Sequence, residues 1–264
     1  MENLDVHIVG IGNLGSSLVS GLNNANKDLS LYLYDQNPKL SSLYDLPVNN
    51  EIDSINTGVL ILCIKPKDIQ DFIKANINKI SEDVLICTVL AGVEIKYLEQ
   101  YFANRIIRLM PNLSIKNNSG FIPYTKNYNE DYLSFLSILN ELGETSEYEE
   151  SLFHVITAIY GSGPAWYFEL SAKIVDAATS SGLDNSEADK IVRELVKSLP
   201  SLLSNDEFTK TVDKIKSPNG TTEAGLNSLE NDSFDKIILN AINSATNRSK
   251  TISQEIANDQ SKKI

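Results

Sequence analysis

Hydrophobic residues in the first half of the chain fall into short continuous runs, each followed by a stretch whose apolar positions have helical spacing. Strands that are apolar along their whole length, separated by helices, are typical of a parallel sheet covered on both faces. The predicted strands are residues 5–10, 29–35, 58–66, 83–92 and 105–111, and the predicted helices run from the first strand to about Leu22 and over 68–80 and 94–102. The pattern therefore predicts a doubly wound α/β domain.

The second half of the chain has helical periodicity only. Residues 151–183 predict a long helix that is interrupted at the glycine- and proline-containing segment 161–164. The apolar stripe of this helix consists of Ala165, Leu170, Ile174, Ala177 and Ala178. Another helix is predicted to begin at Asp184 or Ser186 as its cap, and a last one to cover 222–256. The acidic segment 145–151 separates the two patterns, which predicts one domain over residues 1–150 and an all-α domain over residues 151–264.

The apolar stripes of the second half need a surface to pack against. Symmetric dimers are the commonest oligomers of soluble proteins, so we expect a second copy of the chain to supply that surface. The all-α domain is therefore predicted to be a homodimerisation domain.

Composition and charge narrow the class of protein. A net charge of −12 argues against nucleic-acid binding, which needs clustered basic residues. Cys63 and Cys87 lie inside apolar runs, so neither a disulfide framework nor a zinc or other metal site is expected. The N-terminal sequence MENLDVHIVG lacks the basic region of a signal peptide, and no apolar run is long enough to span a bilayer. We therefore expect a soluble, cytoplasmic protein without membrane or nucleic-acid partners.

A glycine pattern marks the first strand-to-helix turn. Gly10, Gly12 and Gly15 form a GxGxxG motif, and Asp35 closes the next strand 20 residues beyond the last glycine. The first glycine permits a tight turn, the second lets a pyrophosphate approach the backbone, and the third lets the helix pack closely. The helix N-terminus adds amides and partial positive charge. This context predicts a Rossmann domain that binds a dinucleotide.

The choice between NADH and NADPH stays open. The carboxylate of Asp35 suits the ribose diol of NADH and repels a 2′-phosphate, which favours NADH slightly. Asn37 and Lys39 follow closely and can reduce the repulsion between Asp35 and a 2′-phosphate.

The segment KSPNGTTEAGL, residues 216–226, places a proline, an Asn-Gly pair and two threonines ahead of a helical pattern. One interpretation is an ordinary turn whose threonines cap the helix. The other is a loop whose amides and hydroxyls hold an anion.

The shortage of acid–base side chains bears on the chemistry. Reduction of a ketone requires a proton donor, but the only histidines are His7, in a strand, and His154, early in the long helix, and a structural role is expected for both. A protonated imine already carries its proton, so the protein need only orient it and shield the hydride path. Thr222 is the candidate catalytic residue that orients the nitrogen.

Several motifs together resemble the pyrroline-5-carboxylate reductase family over nearly the whole chain. They are VGIGNLGSSLVSGL (9–22), CIKPKDI (63–69), LAGVEIKYLE (90–99), RLMPN (108–112), TAIYGSGPAW (157–166) and SPNGTTEAGLNSLE (217–230). The resemblance implies reduction of the C=N bond of 1-pyrroline-5-carboxylate to L-proline, the last step of proline biosynthesis, with NADPH or NADH. It also implies a helical domain that forms an interlocked dimer, often assembled further into a ring.

The resemblance also assigns residues. It implies cofactor contacts from Val9, Gly10, Ile11, Gly12, Asn13 and Leu14 at the pyrophosphate, Asn50 at the ribose, and Ile64, Lys65, Pro66, Ala91 and Gly92 along the nucleotide. It implies substrate contacts from Glu150, Ser217, Gly220, Thr221 and Thr222, with the Thr222 hydroxyl facing the imine nitrogen. For Glu150, a solvated acidic surface is the alternative interpretation.

Three positions depart from the family pattern. Asn219 replaces a glycine, Leu113-Ser114 replaces Thr-Pro after the fifth strand, and His154 replaces an aspartate. Asn tolerates positive φ best after glycine, so we expect the substrate loop to keep its shape.

The departures leave open a related enzyme with a different imine or hydroxyacid substrate, and a non-catalytic redox-sensing protein is a further alternative. A β-hydroxyacid dehydrogenase is disfavoured, because Tyr167 stands where those enzymes carry a lysine.

Overall fold

One eight-stranded sheet organises the first half of the chain. The structure is a computed structural model that describes residues 3–25, 28–44, 46–129 and 133–260. The strands are β1 (Leu4–Val9), β2 (Leu29–Tyr34), β3 (Val48–Asn49), β4 (Val59–Leu62), β5 (Leu85–Thr88), β6 (Ile106–Leu109), β7 (Gly120–Lys126) and β8 (Gly143–Glu147). Their order in the sheet is β3-β2-β1-β4-β5-β6-β7-β8. The first six are parallel, whereas β7 pairs antiparallel with β6 and parallel with β8.

The doubly wound α/β prediction is confirmed, with shorter elements than the pattern suggested. Helices α1 (Asn13–Asn24), α2 (Ile69–Asn76), α3 (Ile95–Leu98) and α4 (Leu133–Leu142) connect the strands. Every residue of β4, β5 and β6 is buried. Val59 and Ile61 belong to the apolar cluster on one face of the sheet and Leu60 and Leu62 to the cluster on the other. This alternation is why these strands are continuously hydrophobic.

Helices follow from residue 153 onward. They are α5 (Phe153–Ile156), a π-helical turn (Thr157–Gly161), α6 (Gly163–Ser180), α7 (Asn185–Ser198), α8 (Phe208–Ile215), α9 (Thr221–Asn231) and α10 (Phe234–Gln260). The interruption predicted at 161–164 is confirmed, because the π-helical turn ends at Gly161 and α6 begins at Gly163. Asp184 caps α7, as predicted, by accepting from the amides of Ser186 and Glu187. In the described part of the chain, none of the helices has the length and apolar character needed to cross a bilayer.

One prediction about the second half is wrong. The helix expected over 222–256 is two helices, because Ser233 takes a left-handed conformation at φ 59° and ends α9. The acidic segment before the second half begins with a strand that was not predicted, β8, whose backbone pairs with β7 from Gly143 to Glu147.

The chain divides into two compact units. The first unit comprises residues 1–161 together with 245–264, and the second unit comprises residues 162–244. Helix α10 therefore begins in the second unit and ends in the first. The domain boundary between residues 150 and 151 stays a prediction.

Candidate active site

The glycine-rich turn after β1 leaves space directly above the backbone. Gly10 has φ +92°, and a Cβ there would lie 2.8 Å from the backbone of Cys63 and Ile64. A Cβ on Gly15 would overlap the Gly10 carbonyl oxygen, so α1 packs directly on the turn. A Cβ on Gly12, by contrast, would meet no atom within 4 Å. The space in front of Gly12 is therefore free for a ligand that approaches the backbone.

The start of α1 offers unused donors to such a ligand. Ser16 N donates to Gly12 O at 2.8 Å and begins the helical hydrogen bonding. The amides of Asn13, Leu14 and Gly15 have no acceptor among the described residues. Unpaired amides at a helix N-terminus are suited to phosphate oxygens.

Asp35, directly after β2, stabilises this turn. Its carboxylate oxygens accept from Ile11 N at 2.7 Å and from Asn37 N at 2.8 Å. Each oxygen has a second lone pair, so the carboxylate keeps acceptor capacity for a ribose hydroxyl. Its contact with the ribose stays a prediction.

The remaining residues predicted at the nucleotide lie along the same edge of the sheet. β1 to β5 run in one direction, so the segments that follow them meet at the carboxyl edge. The structure brings together there Val9, Gly10, Ile11, Gly12, Asn13, Leu14, Asp35, Asn50, Ile64, Lys65, Pro66, Ala91 and Gly92.

The loop after β5, which carries Ala91 and Gly92, is held by the C-terminal part of α10. Gly92 has φ +78°, and a Cβ there would lie 2.7 Å from the Ile252 side chain. The Ser253 hydroxyl donates to Gly92 O at 2.5 Å, across 161 residues of sequence. This part of the edge therefore depends on the far end of the chain, which the sequence patterns did not predict.

Glu150 forms an ion pair rather than a solvated acidic surface. Its Oε1 accepts from Arg108 Nη1 at 2.8 Å and from Ile95 N at 2.8 Å. The Arg108 guanidinium also lies 4.9 Å from the centre of the Phe153 ring. Burial lowers the pKa of Arg108, and the bond to Glu150 opposes that decrease. Arg108 was not among the predicted site residues, although an arginine inside a wholly buried strand was a signal in the sequence.

Both histidines have structural partners, as expected. His7 Nδ1 lies 3.1 Å from the Tyr34 hydroxyl, inside the sheet. His154 Nδ1 lies 2.9 Å from the Ser249 hydroxyl, and its Nε2 lies 3.4 Å from a Glu94 oxygen. Burial lowers the pKa of both imidazoles. Each imidazole is therefore held by a hydroxyl of a neighbouring element, although His7 also lines an open cavity together with Tyr32 and Asn50.

Asn112 caps the turn after β6, where Leu113-Ser114 departs from the family pattern. Asn112 Oδ1 accepts from both the amide and the hydroxyl of Ser114, at 2.9 and 2.6 Å. These bonds fix the 3₁₀ turn at Leu113–Asn117.

The loop before α9, in the second unit, is a tight turn. Gly220 N donates to Ser217 O at 3.0 Å, and a Cβ on Gly220 would overlap the Ser217 hydroxyl. Asn219 has φ 59°, which confirms that asparagine takes the left-handed position. Asn219 N donates to Glu223 Oε2 at 2.7 Å, which ties the turn to the first turn of the helix.

The two threonines of this loop do not cap the helix. Gly220 is the N-cap residue of α9, and no side chain makes a capping hydrogen bond. The amides of Thr221, Thr222 and Glu223, and the Thr222 hydroxyl, have no partner among the described residues. The capping interpretation is therefore wrong, and the loop presents several free donors at a helix N-terminus.

A largely parallel sheet with this glycine turn, open space at Gly12 and unused amides at α1 defines a dinucleotide-binding protein of the Rossmann class, here followed by a helical region. A protein-family model described as pyrroline-5-carboxylate reductase dimerisation matches residues 150–252.

Comparison with whole proteins extends this match. Pyrroline-5-carboxylate reductase 1 of Bacillus subtilis (strain 168) is 31% identical over 267 residues, covering 95% of this chain and 90% of that protein. Pyrroline-5-carboxylate reductase 2 of the same organism is 29% identical and covers 96% of each chain. The crystal structure of the Plasmodium falciparum pyrroline carboxylate reductase with NADP bound has a TM-score of 0.85 at 26% identity, covering 96% of this chain and 99% of that one. This chain belongs to the pyrroline-5-carboxylate reductase family.

Proposed function

We propose that this protein reduces the C=N bond of 1-pyrroline-5-carboxylate with NADPH or NADH and so produces L-proline. Membership of the family supports the reaction, and the relatives that share most of the chain carry the same name. The observation that carries the proposal for this chain is the set of unused donors at the start of α9, which suits a small carboxylate next to a nitrogen.

The residues at the carboxyl edge fit a reduced nicotinamide dinucleotide. The space in front of Gly12 is one that a Cβ would fill, and the free amides of Asn13, Leu14 and Gly15 suit a pyrophosphate. Asp35 and Asn50 are assigned to the ribose, and the segments after β4 and β5 to the remainder of the nucleotide. The bound nucleotide supplies the hydride. The relative with NADP bound makes NADPH a candidate for this chain, beside the NADH that Asp35 favours.

The loop at residues 217–222 is assigned to the substrate. Its amides hold the carboxylate, and Ser217 and Gly220 maintain the turn that aims them. The Thr222 hydroxyl, which both donates and accepts, orients the nitrogen of the C=N bond. Glu150 is assigned to the neighbourhood of the substrate.

The roles of the two histidines favour an imine over a ketone. A ketone needs a general acid at its oxygen, whereas both imidazoles are engaged by hydroxyls and have lowered pKa values. A protonated imine carries its own proton, so positioning and exclusion of water are sufficient.

The assembly belongs to the same proposal. The family model that matches residues 150–252 is one of dimerisation, and helices of the second unit expose the apolar side chains that a partner must cover. We propose a homodimer, with a ring of dimers as a further assembly. The two cysteines are free and one is fully buried, which supports a reducing, cytoplasmic location.

The direct test follows the absorbance of each reduced nucleotide in the presence of 1-pyrroline-5-carboxylate, with proline identified as the product. Thr222→Ala should lower kcat by about tenfold or more while changing nucleotide affinity less than about threefold. Thr222→Ser is the matched control, because it keeps the hydroxyl. Wild-type protein that binds nucleotide but does not consume it would refute the proposed reaction, and an unchanged rate in Thr222→Ala would remove Thr222 from it.

A further inference from the structure

Arg108 is a charged side chain with no exposure to solvent. It lies on β6 between Thr88 of β5 and Thr125 of β7, so strands flank it on both sides. Burying a guanidinium is unfavourable unless its donors are paired. Here Nη1 bonds to Glu150, but Nε and Nη2 have no hydrogen-bond partner within the described ranges. A buried ion that is only partly paired is a poor way to stabilise a sheet, which points to another role.

The partner of Arg108 joins three segments of the first unit. Glu150 begins the 3₁₀ turn that precedes α5. Its Oε1 accepts a hydrogen bond from Arg108 of β6. The same oxygen, Oε1, accepts from Ile95 N, at the end of the loop that carries Gly92. Glu150 Oε2 makes no hydrogen bond within the described ranges, and the side chain is 30% exposed. Arg108 and the Ile95 amide thus form a clamp on Glu150, which occupies one carboxylate oxygen and leaves the other free.

We propose that Arg108 is a positioning residue for reduction of the imine, acting through Glu150. This inference rests on the proposed function, in which Glu150 neighbours the substrate. Arg108 and the Ile95 amide fix the carboxylate by Oε1, so Oε2 has a defined direction from which its negative charge faces the protonated C=N bond, whose N–H is left to Thr222. The negative charge favours the protonated imine, which is the form that accepts a hydride. The same clamp ties this carboxylate to the loop assigned to the nucleotide.

A double-mutant cycle tests whether Arg108 acts through Glu150. Arg108→Met and Glu150→Gln should each lower kcat/KM for the imine by about thirtyfold or more. If the arginine acts only through the carboxylate, kcat/KM of the double variant should be within about twofold of that of the less active single variant. Losses that multiply would overturn the proposal, because they would show that the two residues act independently.

Activity losses from unfolding are separated by two further variants. Arg108→Lys keeps the charge but not the forked geometry, so it should fold, bind NADPH within about threefold of wild type by fluorescence titration, and still lose kcat. The apolar pair Arg108→Met with Glu150→Leu removes both charges, so its melting temperature should equal or exceed that of Arg108→Met alone. Its activity should nevertheless stay low. Recovery of activity together with stability would reduce Arg108 to a structural role and overturn the proposal.

Arg193→Lys is the matched control. Arg193 pairs with Asp189 at 2.6 Å on an exposed face of α7, so the same chemical change there should leave kcat/KM unchanged. A wild-type protein that does not reduce 1-pyrroline-5-carboxylate would overturn the proposed function and this inference with it. An active wild type with an unaffected Arg108→Lys variant would overturn this inference alone.

Discussion

The two units of the chain differ in how far their large hydrophobic side chains are buried. In the first unit most of them fill two clusters, one on each face of the sheet, and Leu60 has no exposure while Ile61 has 1%. In the second unit Ala188 and Val192 are the only buried hydrophobic side chains. Phe168 and Phe208, on helices of that unit, are 68% and 77% exposed.

This difference separates a self-contained binding unit from an assembly unit. Helices whose apolar faces remain in water gain little from folding alone, so their stability must come from surfaces outside the unit. The predicted stripe on α6 fits this view, since Leu170 and Ile174 are both exposed in the single chain. The apolar surface of the second unit is thus the part of the chain that a second copy is expected to cover.

The largest effect is expected from a charge placed on that surface. Phe168→Glu should weaken the dimer by about 3–5 kcal/mol, because a carboxylate without a partner would be buried on association. Light scattering should show monomers, with loss of activity. Leu43→Glu is the control, because Leu43 is 71% exposed but lies in the first unit. Equal effects of the two substitutions would contradict the contrast between the units.

Truncating a hydrophobic side chain in each unit should show which unit depends on the dimer, because only the stability of a dimer-dependent unit varies with protein concentration. Leu60→Ala removes a side chain with no exposure and should lower the free energy of unfolding by about 2–5 kcal/mol at every protein concentration. Leu195→Ala, on the half-exposed face of α7, should lower it mainly where the dimer is populated. Urea unfolding at several protein concentrations measures both. A concentration-independent loss for Leu195→Ala would show that the second unit has its own core.

Nucleotide binding should be separable from assembly. Gly12→Val meets no neighbouring atom at Cβ, so the variant should fold and dimerise but lose NADPH affinity by about 100-fold, or about 2.7 kcal/mol. Fluorescence titration and light scattering report the two properties. Gly15→Ala is the contrasting variant, because its Cβ would overlap the Gly10 carbonyl and destabilise the fold itself. Normal titration of Gly12→Val would place the nucleotide elsewhere.

The smallest effect is a pH dependence confined to the first unit, which contains both histidines. Burial lowers the pKa of His7 and His154 in the folded state, so the unfolded chain binds more protons once the pH falls below about 6.5. The free energy of unfolding should therefore be highest above that pH and decrease as the pH falls toward the lowered pKa values. Unfolding in urea from about pH 8 to pH 5.5 measures this, and the His7→Asn, His154→Gln double variant should flatten the curve. A wild-type curve that is already flat would contradict it.

The sequence predicted elements whose signal is local. Fully buried strands such as β4 and the GxGxxG turn carry their pattern within a few residues, as does the capping of α7 by Asp184. The turn at Asn219 was predictable for the same reason, because few residue types other than glycine and asparagine adopt the left-handed conformation in a turn.

Features that depend on distant partners or weak local signals were missed. β7 contains Pro123 and pairs antiparallel with β6, so neither its composition nor its direction follows the pattern of the other strands. The break between α9 and α10 occurs at Ser233 without a glycine or proline. The pairing of Arg108 with Glu150 spans 42 residues, and no local spacing predicts it.

The hydrogen bond from Ser253 to Gly92 also has a consequence for biosynthesis. A chain emerges from the ribosome N-terminus first, so the strands and the glycine turn are available long before residue 253 is made. The loop bearing Gly92 acquires its hydroxyl donor only after a further 161 residues have been translated. A nascent chain can therefore form most of the sheet early, yet the loop that carries Gly92 at the carboxyl edge is completed much later than the strands around it.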